Sequence, residues 1–272
     1  MRAVLLAKMF LDRREHRGAC EFRFRWHPAF RGWQRLSVAA RDTSFRTDLL
    51  LRTGTSDAWV FEQVFCNNDY NLRRLPRWND IEQTYHNLAA EGSPLILDLG
   101  ANVGMASIYF AKNWPAARIL AVEPSQQNYD VLCRNVASLK QVMPLKAAVS
   151  AIDGFVRITN VEGHAWAHRT AMATRAAVDT VPAKSVASLI ASAGDEQRCY
   201  PFICKIDIEG FESHLFSSNT DWIRLFPVII IELHDWMLPK QRTSASFLRE
   251  ISNHDRDFMY IGENVFSISN DI

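Results

Sequence analysis

The stretch "LILDLGANVGMASIYF", residues 95–110, decides the fold of this chain. An apolar run includes Asp98 near its end, Gly100 and Gly104 follow, and helical character begins directly after the second glycine. Gly100 allows a tight turn at a strand end, and Gly104 allows the following helix to approach the sheet or a ligand closely. A strand, a glycine turn and a helix in this order are typical of the first unit of an α/β sheet that binds a nucleotide-like ligand.

Strand-like and helix-like segments alternate outward from this unit. Strands are predicted at residues 94–100, 118–124, 142–150, 202–210, 228–234, 257–262 and 264–269, and helices at 102–114, 125–139, 184–194 and 240–253, with a short one from Phe211. The pair Asp153-Gly154 predicts a hairpin into "FVRIT". Because most strands are apolar throughout, helices should cover both faces of the sheet. We therefore predict an α/β fold with a doubly wound, Rossmann-like sheet, mostly parallel with a terminal antiparallel strand.

Four acidic residues fall at the ends of predicted strands: Asp98, Glu123, Asp207 and Glu232. In a doubly wound sheet, ligands bind outside the carboxyl ends of the strands, where the strand order reverses. The four carboxyl groups are therefore expected to meet at one edge, which becomes the predicted ligand site.

Residues 1–85 lack the alternation and are predicted to be an N-terminal appended segment, with the main domain at residues 86–272. Within the segment, "SFRTDLLLRTGTSDAWVFEQVF" predicts a strand, a turn at Gly54-Thr55 and a helix capped by Ser56 or Asp57.

Composition and charge narrow the class of protein. Hydrophobic residues make up 48% and charged residues 22% of the chain, which is ordinary for a globular protein. Residues 1–80 carry 15 Lys/Arg against 9 Asp/Glu, but the arginines are scattered, so a solvated basic surface is favoured over a nucleic-acid face.

Five cysteines without a C-x-x-C pair argue against a disulfide framework or a zinc site. With no secretory signal pattern and no apolar run of 18 residues, a cytoplasmic location without a membrane span is expected.

The spacing of the glycine turn selects the kind of ligand. The pattern is D-x-G-x-N-x-G, whereas a dinucleotide-binding loop requires G-x-G-x-x-G and a helix N-terminus directed at a pyrophosphate; here Asn102 replaces a glycine. A loop that contains an acid and lacks the phosphate cradle suits a cationic ligand without phosphate. S-adenosylmethionine has these properties, and Glu123 is placed to accept hydrogen bonds from ribose hydroxyls.

Several segments together resemble the FkbM family of S-adenosylmethionine-dependent methyltransferases: "LILDLGANVGMASIYFA", "AVEPSQQNYDVLCRNV", "LKAAVS", "KIDIEGFE" and "IIIELH". The resemblance covers about residues 86–270, and "RTGTSDAWVFEQVF" also looks like a segment found upstream in the family. It implies a methyltransferase sheet, S-adenosylmethionine as the cofactor and, as in many members, O-methylation of a sugar, glycan or small natural product. By similarity, Asp98, Gly100, Asn102 and Gly104 would line the methionine part, Glu123 the ribose and Ala148 the adenine; the full expected cofactor set is Asp98, Gly100, Ala101, Asn102, Gly104, Glu123, Pro124, Ser125, Asn128 and Ala148.

Methyl transfer to an alcohol needs alignment of the two reactants and removal of the hydroxyl proton. Asp207 is the first candidate for that step, Lys205 shares its strand face by the two-residue period, and His234 follows Glu232 as a candidate base near neutral pH. Asp207 could instead hold a divalent cation such as magnesium together with Glu209, but no metal site is predicted.

Further candidates have equally good structural explanations. Glu209, in the turn beyond Asp207, and Glu212, one helical turn on, are candidates of this kind, and a helix cap explains Glu209 equally well. His164 and His168 lie in a loop that could reach over the site, but they are expected at a surface. Trp166 and Trp236 could line an acceptor or shield the core.

Two other functions stay open. One is a nicotinamide-dependent oxidoreductase on a similar sheet, which Asn102 and the lack of a Tyr-x-x-x-Lys couple disfavour. The other is a non-catalytic cofactor-binding module. A nucleic-acid amino-methyltransferase is disfavoured because "DIEG" stands where an N-P-P-Y-type motif would follow the fourth strand, so the acceptor is predicted to be a small molecule or glycan.

Overall fold

The computed structural model describes residues 22–28, 30–41, 44–160, 168–173, 180–194 and 198–272, with only the backbone described at 158–160 and 168–173. Contacts between residues divide the chain into two compact units, one ending at Tyr70 and one beginning at Asn71. None of the described helices is long and apolar enough to cross a membrane.

The first unit contains an antiparallel three-stranded meander and a short helix. Its elements are β1 (Phe22–Trp26), β2 (Trp33–Ala40), β3 (Arg46–Arg52) and α1 (Asp57–Phe61), which continues as a π-helical turn (Glu62–Cys66). The turn at Gly54 lies where the sequence predicts it, with φ of +84°. Ser56 precedes α1 but makes no side-chain capping bond, and the buried carboxylate of Asp57 instead accepts hydrogen bonds from the backbone and guanidinium of Arg52 at 2.7 Å.

The second unit is built on a seven-stranded sheet with the order β13-β14-β12-β11-β4-β5-β6. Its strands are β4 (Ser93–Leu99), β5 (Arg118–Val122), β6 (Val142–Leu145), β11 (Cys199–Ile206), β12 (Val228–Glu232), β13 (Arg256–Ile261) and β14 (Asn264–Ser269). Five strands are parallel, and β14 is antiparallel to β12 and to β13. The predicted α/β fold, a doubly wound Rossmann-like sheet with a terminal antiparallel strand, is confirmed.

Helices of this unit join the strands of the sheet. They are α2 (Trp78–Glu91), α3 (Met105–Asn113), α4 (Gln126–Val136), α5 (Val186–Ala193), α6 (Glu212–Leu215) and α7 (Ala245–Ile251), with 3-10 turns at Leu72–Arg74, Asp221–Leu225 and His234–Trp236. Every residue of β4 and β12 is buried, as expected for strands covered on both faces. Tyr85 of α2 packs on Trp114 and Phe202 with ring centroids 4.8 and 5.6 Å away, so residue 85, the boundary expected from the sequence, lies inside a helix of the second unit.

A smaller four-stranded sheet is inserted between β6 and β11. It has the order β7-β10-β8-β9 and consists of β7 (Ala148–Ser150), β8 (Gly154–Asn160), β9 (His168–Ala173) and β10 (Thr180–Ser185). The strand predicted at residues 142–150 is therefore wrong as a single element. The carbonyl of Leu145 accepts hydrogen bonds from Glu123 and Ala147, which bends the chain out of the large sheet.

The predicted hairpin at Asp153-Gly154 is also corrected. β8 pairs antiparallel with β10 and β9, whereas β7 pairs parallel with β10. The turn therefore does not join two paired strands, because β10 comes between β7 and β8 in the small sheet.

The strand order of the large sheet reverses at β4. The chain moves from β4 outward to β5 and β6, and then returns to the other side of β4 at β11. The carboxyl ends of β4 and β11 therefore flank the switch point, where the chain leaves two neighbouring strands in opposite directions and opens a crevice.

Candidate active site

A cleft of about 630 Å³, open to solvent, lies at the carboxyl ends of β4, β5 and β11. The residues that line the cleft are Gly100, Asn102, Val122, Glu123, Pro124, Asn128, Ala147, Ala148, Val149, Asp207, Ile208, Glu209 and Phe211. The lining therefore joins the glycine turn, the end of β5, the start of the small sheet and the turn after β11.

The two glycines of the turn act in different ways. Gly100 has φ of +79°, and a Cβ atom on it would lie 1.8 Å from the carbonyl oxygen of Asp207. Gly104 has φ of +89°, and a Cβ atom on it would meet the side chain of Leu132 in α4 at 2.7 Å. Gly100 thus allows β4 and the turn after β11 to come together at the switch point, and Gly104 allows α3 to pack closely on α4.

Glu123 ends β5 and organises the turn from across the cleft. Its Oε2 atom accepts a hydrogen bond from the Asn102 amide at 2.9 Å, and Oε1 accepts one from the Ser125 amide at 2.9 Å and one from the Asn128 side chain at 3.4 Å. Burial raises the pKa of Glu123 to about 7, although these hydrogen bonds and Lys205 favour the charged form. Ser125 precedes α4 as expected, but its amide rather than its hydroxyl serves this site.

Asp98 lies beneath the turn and is fully buried. Its Oδ2 atom accepts a hydrogen bond from the Ser107 hydroxyl at 2.6 Å, and its Oδ1 atom is 3.1 Å from Lys205 Nζ. Lys205 also donates to the carbonyl of Gly100 at 2.7 Å and lies 3.4 Å from Asp207 Oδ2. The lysine ammonium therefore ties the ends of β4 and β11 together and has three acceptors within reach.

His234 lies in a 3-10 turn just beyond β12, rather than on the strand as predicted. We call it and the four carboxyl groups around it the His234 cluster: Asp207, Glu209, Glu212, Glu232 and His234. The ring atom Nδ1 is 2.8 Å from Glu212 Oε1, and Nε2 is 3.5 Å from Asp207 Oδ1, 3.6 Å from Glu232 Oε1 and 3.9 Å from Glu209 Oε2. The imidazole is 2% exposed and Glu212 is fully buried.

The charges of this cluster are strongly coupled. Burial disfavours the charged imidazolium and by itself would lower the pKa of His234. The hydrogen bonds and negative charges of Asp207 and Glu212 have a larger effect and raise this pKa to about 11. Burial also opposes the Asp207 carboxylate, whereas Lys205 and His234 lower its pKa to about 2. Burial and the charge of Asp207 raise the pKa of Glu209 and of Glu232 to about 8. At neutral pH, His234 is therefore a cation and does not match the neutral base expected from the sequence.

The predicted cofactor residues divide into two groups. Gly100, Asn102, Glu123, Pro124, Asn128 and Ala148 line the cleft. The other four are behind this lining: Asp98, Ala101, Gly104 and Ser125. These four support the turn, the helix and Glu123 from below.

Of the predicted catalytic residues, Asp207 lines the cleft, while Lys205 and His234 are buried beside it. Sequence reasoning missed the apolar wall formed by Val122, Ala147, Val149, Ile208 and Phe211. No periodic pattern marks these residues, because they come from strand ends and turns. His164 and Trp166 lie outside the described residues, as does the side chain of His168, and Trp236 is 62% exposed.

Comparison with known proteins gives one family. The model of the methyltransferase FkbM domain matches residues 98–260. Methyltransferase sdnD of Sordaria araneosa is 32% identical over 104 residues, which are 37% of this chain and 34% of that protein. Hexuronic acid methyltransferase AglP of Haloferax volcanii is 25% identical over 177 residues, 62% of this chain and 71% of that protein.

The chain thus spans about a third of the length of the first relative. Among solved structures, the O-methyltransferase TomG of Streptomyces achromogenes, in complex with S-adenosylmethionine, has a TM-score of 0.41 at 10% identity, over 78% of this chain and 89% of that chain.

Proposed function

The chain belongs to the FkbM methyltransferase family, and from that premise we propose that it transfers the methyl group of S-adenosylmethionine to a hydroxyl group of a sugar, glycan or other small natural product. The observation that carries this proposal is the charge of the cleft. Three carboxyl groups line it, those of Glu123, Asp207 and Glu209, and the described lining contains neither lysine nor arginine.

This charge distribution fits the proposed cofactor. A cationic ligand without phosphate is attracted by such a lining, whereas a pyrophosphate would be repelled by it. S-adenosylmethionine supplies a methyl carbon that is already activated by a positively charged sulfur. The nicotinamide-dependent alternative is disfavoured, because the described lining gives a pyrophosphate no cationic side chain.

We assign the two ends of the cleft to different parts of the cofactor. The Glu123 carboxylate has about four acceptor positions, of which three are used by Asn102, Ser125 and Asn128. The remaining capacity would accept a ribose hydroxyl. Ala148 and Phe211 would enclose the flat adenine ring between apolar surfaces, and Gly100 and Asn102 would border the methionine part.

The acceptor hydroxyl must lose its proton while the new bond from oxygen to carbon forms and the bond from carbon to sulfur breaks. Asp207 and Glu209 are the carboxylates that line the cleft at the end of β11, with side chains 26% and 28% exposed. We assign the removal of the proton to Asp207, because Glu209, with a pKa of about 8, is mostly protonated at neutral pH. Lys205 then acts as a buried cation that holds Asp207 in place, because its Nζ atom lies 3.4 Å from the carboxylate.

The acceptor class is supported by a relative. One protein that this chain resembles is named a hexuronic acid methyltransferase, which supports a sugar-type acceptor here. The acidic cleft suits a neutral polyhydroxyl compound better than an anionic one, whether a phosphorylated sugar or a free uronic acid, so the relative supports a sugar-type acceptor but not an anionic one.

Two measurements test this proposal. Calorimetric titration with S-adenosylhomocysteine and with NAD should give binding of the first alone; binding of NAD alone would end the proposal. A screen with radiolabelled S-adenosylmethionine against sugars, uronic acids, lipids and polyketide-like alcohols should then yield a labelled methyl ether. A module that binds the cofactor and labels no acceptor in the screen would favour the non-catalytic alternative.

A further inference from the structure

The three side chains around Nε2 of His234 have the composition of a metal site. One oxygen each of Asp207 and Glu232 and one ring nitrogen of His234 all lie within 4.8 Å of one another. Carboxylate oxygens and an imidazole nitrogen are common ligands of divalent metal ions. Asp207 is partly exposed to the cleft, whereas the other two residues are buried, so an ion could enter from the cleft.

The distances within this group suit an ion better than direct hydrogen bonds. Nε2 is 3.5 Å from Asp207 and 3.6 Å from Glu232, which is longer than the usual N–H···O distance of about 2.7–3.2 Å. Two donor atoms that bind one ion at about 2.1 Å lie roughly 3.0–3.5 Å apart. The two distances from Nε2 are therefore close to those expected around one ion, and the Asp207 and Glu232 oxygens, within 4.8 Å of each other, would close on it.

The orientation of the ring is fixed from the opposite side. Nδ1 of His234 is 2.8 Å from Glu212 Oε1, a true hydrogen-bond distance, and Glu212 is fully buried. Metal-binding histidines usually donate their second ring N–H to a carboxylate in this way, and the ion takes the place of the proton on the other nitrogen, because metal binding releases protons from its ligands. Glu212 thus holds Nε2 toward Asp207 and Glu232.

A further side chain beside the group has one buried polar atom without a partner among the described residues. Asn264 lies directly across from Glu232 in the antiparallel pair β12–β14, so the two side chains are on the same face of the sheet. Its side chain is 1% exposed, and among the described residues its Nδ2 atom has no hydrogen-bond partner. A buried amide without a partner is costly, and since the two ends of an amide can be exchanged by rotation, it can offer oxygen to a ligand here.

We propose that Asp207, Glu232 and His234 bind one divalent transition-metal ion, with Mn²⁺ as the best match to two carboxylates and one imidazole. Mg²⁺ matches less well, because it prefers oxygen ligands alone. Glu212 is the positioning residue, and Asn264 is the nearest candidate for an additional ligand. The ion would lie beside the cleft end where the hydroxyl group is proposed to react; that consequence rests on the proposed function, whereas the metal site does not.

Electron paramagnetic resonance of Mn²⁺ tests the site in the full chain. After treatment with EDTA and dialysis, the wild-type protein should remove one equivalent of free Mn²⁺ from the six-line signal. Pulsed spectra of the bound ion should show coupling to a directly bound ¹⁴N nucleus, because His234 is the only nitrogen ligand proposed. This second measurement needs no variant and therefore does not depend on how a substitution folds.

Substitutions then locate the ion. Asp207→Asn, Glu232→Gln and His234→Gln should each weaken Mn²⁺ binding at least tenfold, and Glu212→Gln should weaken it about 10- to 100-fold through the ring orientation. Glu91→Gln is the matched control, because this exposed carboxylate lies at the end of α2, outside the cluster; its affinity should equal that of the wild type. Circular dichroism and S-adenosylhomocysteine binding in EDTA confirm that each variant is folded.

A wild-type protein that binds no Mn²⁺, or a bound ion without ¹⁴N coupling, would overturn the metal site. So would equal affinity in folded Asp207→Asn and wild-type protein. If S-adenosylhomocysteine still binds in those cases, the proposed function stands without the metal. Loss of that binding as well would count against the proposed function separately.

Discussion

Lys205 and Asp98 form a buried ion pair, 3.1 Å apart, that joins two neighbouring strands at the switch point of the sheet. Both side chains are at most 3% exposed. The same ammonium donates to Gly100 in the turn, so the pair fixes the strand ends and the cleft border together. Its role in this arrangement is to position the glycine turn.

Lys205→Met should lower the free energy of unfolding by about 3–5 kcal/mol, because it leaves the buried carboxylate of Asp98 without its cation. Chemical denaturation followed by circular dichroism measures this change. The control is Lys184→Met, whose partner Asp153 is 3.5 Å away in a pair with both side chains more than 40% exposed. That loss should be about 0–1 kcal/mol, and equal losses in the two variants would contradict the positioning role.

Gly100→Ala should abolish cofactor binding and destabilise the protein strongly. The new Cβ atom would lie 1.8 Å from the carbonyl oxygen of Asp207, so the backbone at the switch point must move. Thermal unfolding and titration with S-adenosylhomocysteine measure the two effects.

Gly54→Ala is the matched control for the backbone angle. Its φ is +84°, close to that of Gly100, but no atom lies within 4 Å of the added Cβ. The left-handed conformation alone should cost about 1–2 kcal/mol, with cofactor affinity unchanged. The proposed cleft border would be wrong if Gly100→Ala bound the cofactor normally.

Glu123→Gln should change how stability depends on pH. Because burial raises the pKa of Glu123 from 4.5 to about 7, the folded protein retains a proton between these values that the unfolded chain loses. This contribution is fully present below pH 4.5 and is lost as the pH rises toward 7, with a slope of at most about 1.4 kcal/mol per pH unit.

Unfolding by urea at intervals between pH 5 and 7 measures the slope for wild type and variant. The wild-type slope should be more negative than that of Glu123→Gln, and Glu91→Gln, at an exposed carboxylate, should behave like the wild type. Parallel curves for wild type and Glu123→Gln would show that Glu123 has an ordinary pKa.

Asp207→Asn should lower turnover by about 10²- to 10⁴-fold, the range that proton removal by a positioned group contributes. Binding of S-adenosylhomocysteine should persist, because the contacts that hold Glu123 and the glycine turn are unchanged. Single-turnover assays with labelled cofactor and an acceptor from the screen measure the rate. Undiminished turnover would remove Asp207 from its assigned role, and Asp153→Asn, at an exposed carboxylate, serves as the control.

The sequence by itself determined the sheet and the edge at which the cleft lies. Three features are visible locally in the sequence: the continuous apolar strands, the glycine turn at Gly100 and an acidic residue at the end of four strands. They predict the location of the cleft because the carboxyl ends of parallel strands must meet at one edge of the sheet. The chemistry of single side chains also identified Glu123 as a residue of the cleft. Such signals depend only on residues that are close together in the sequence, so they can be recognised without the structure.

Only the tertiary structure decided how the acids are used. Glu212 and His234 are separated by 22 residues, yet they share a hydrogen bond that fixes the ring. The protonation of His234 and the contacts of Lys205 with Asp98 and Gly100 both depend on partners that are distant in the sequence. The division of residues 142–150 between two sheets also depended on the tight turn in which the Ala147 amide donates to the Leu145 carbonyl, which no periodic pattern contains. Burial and the interaction between charges depend on which residues become neighbours in the folded protein, and the spacing of residues in the sequence does not specify this.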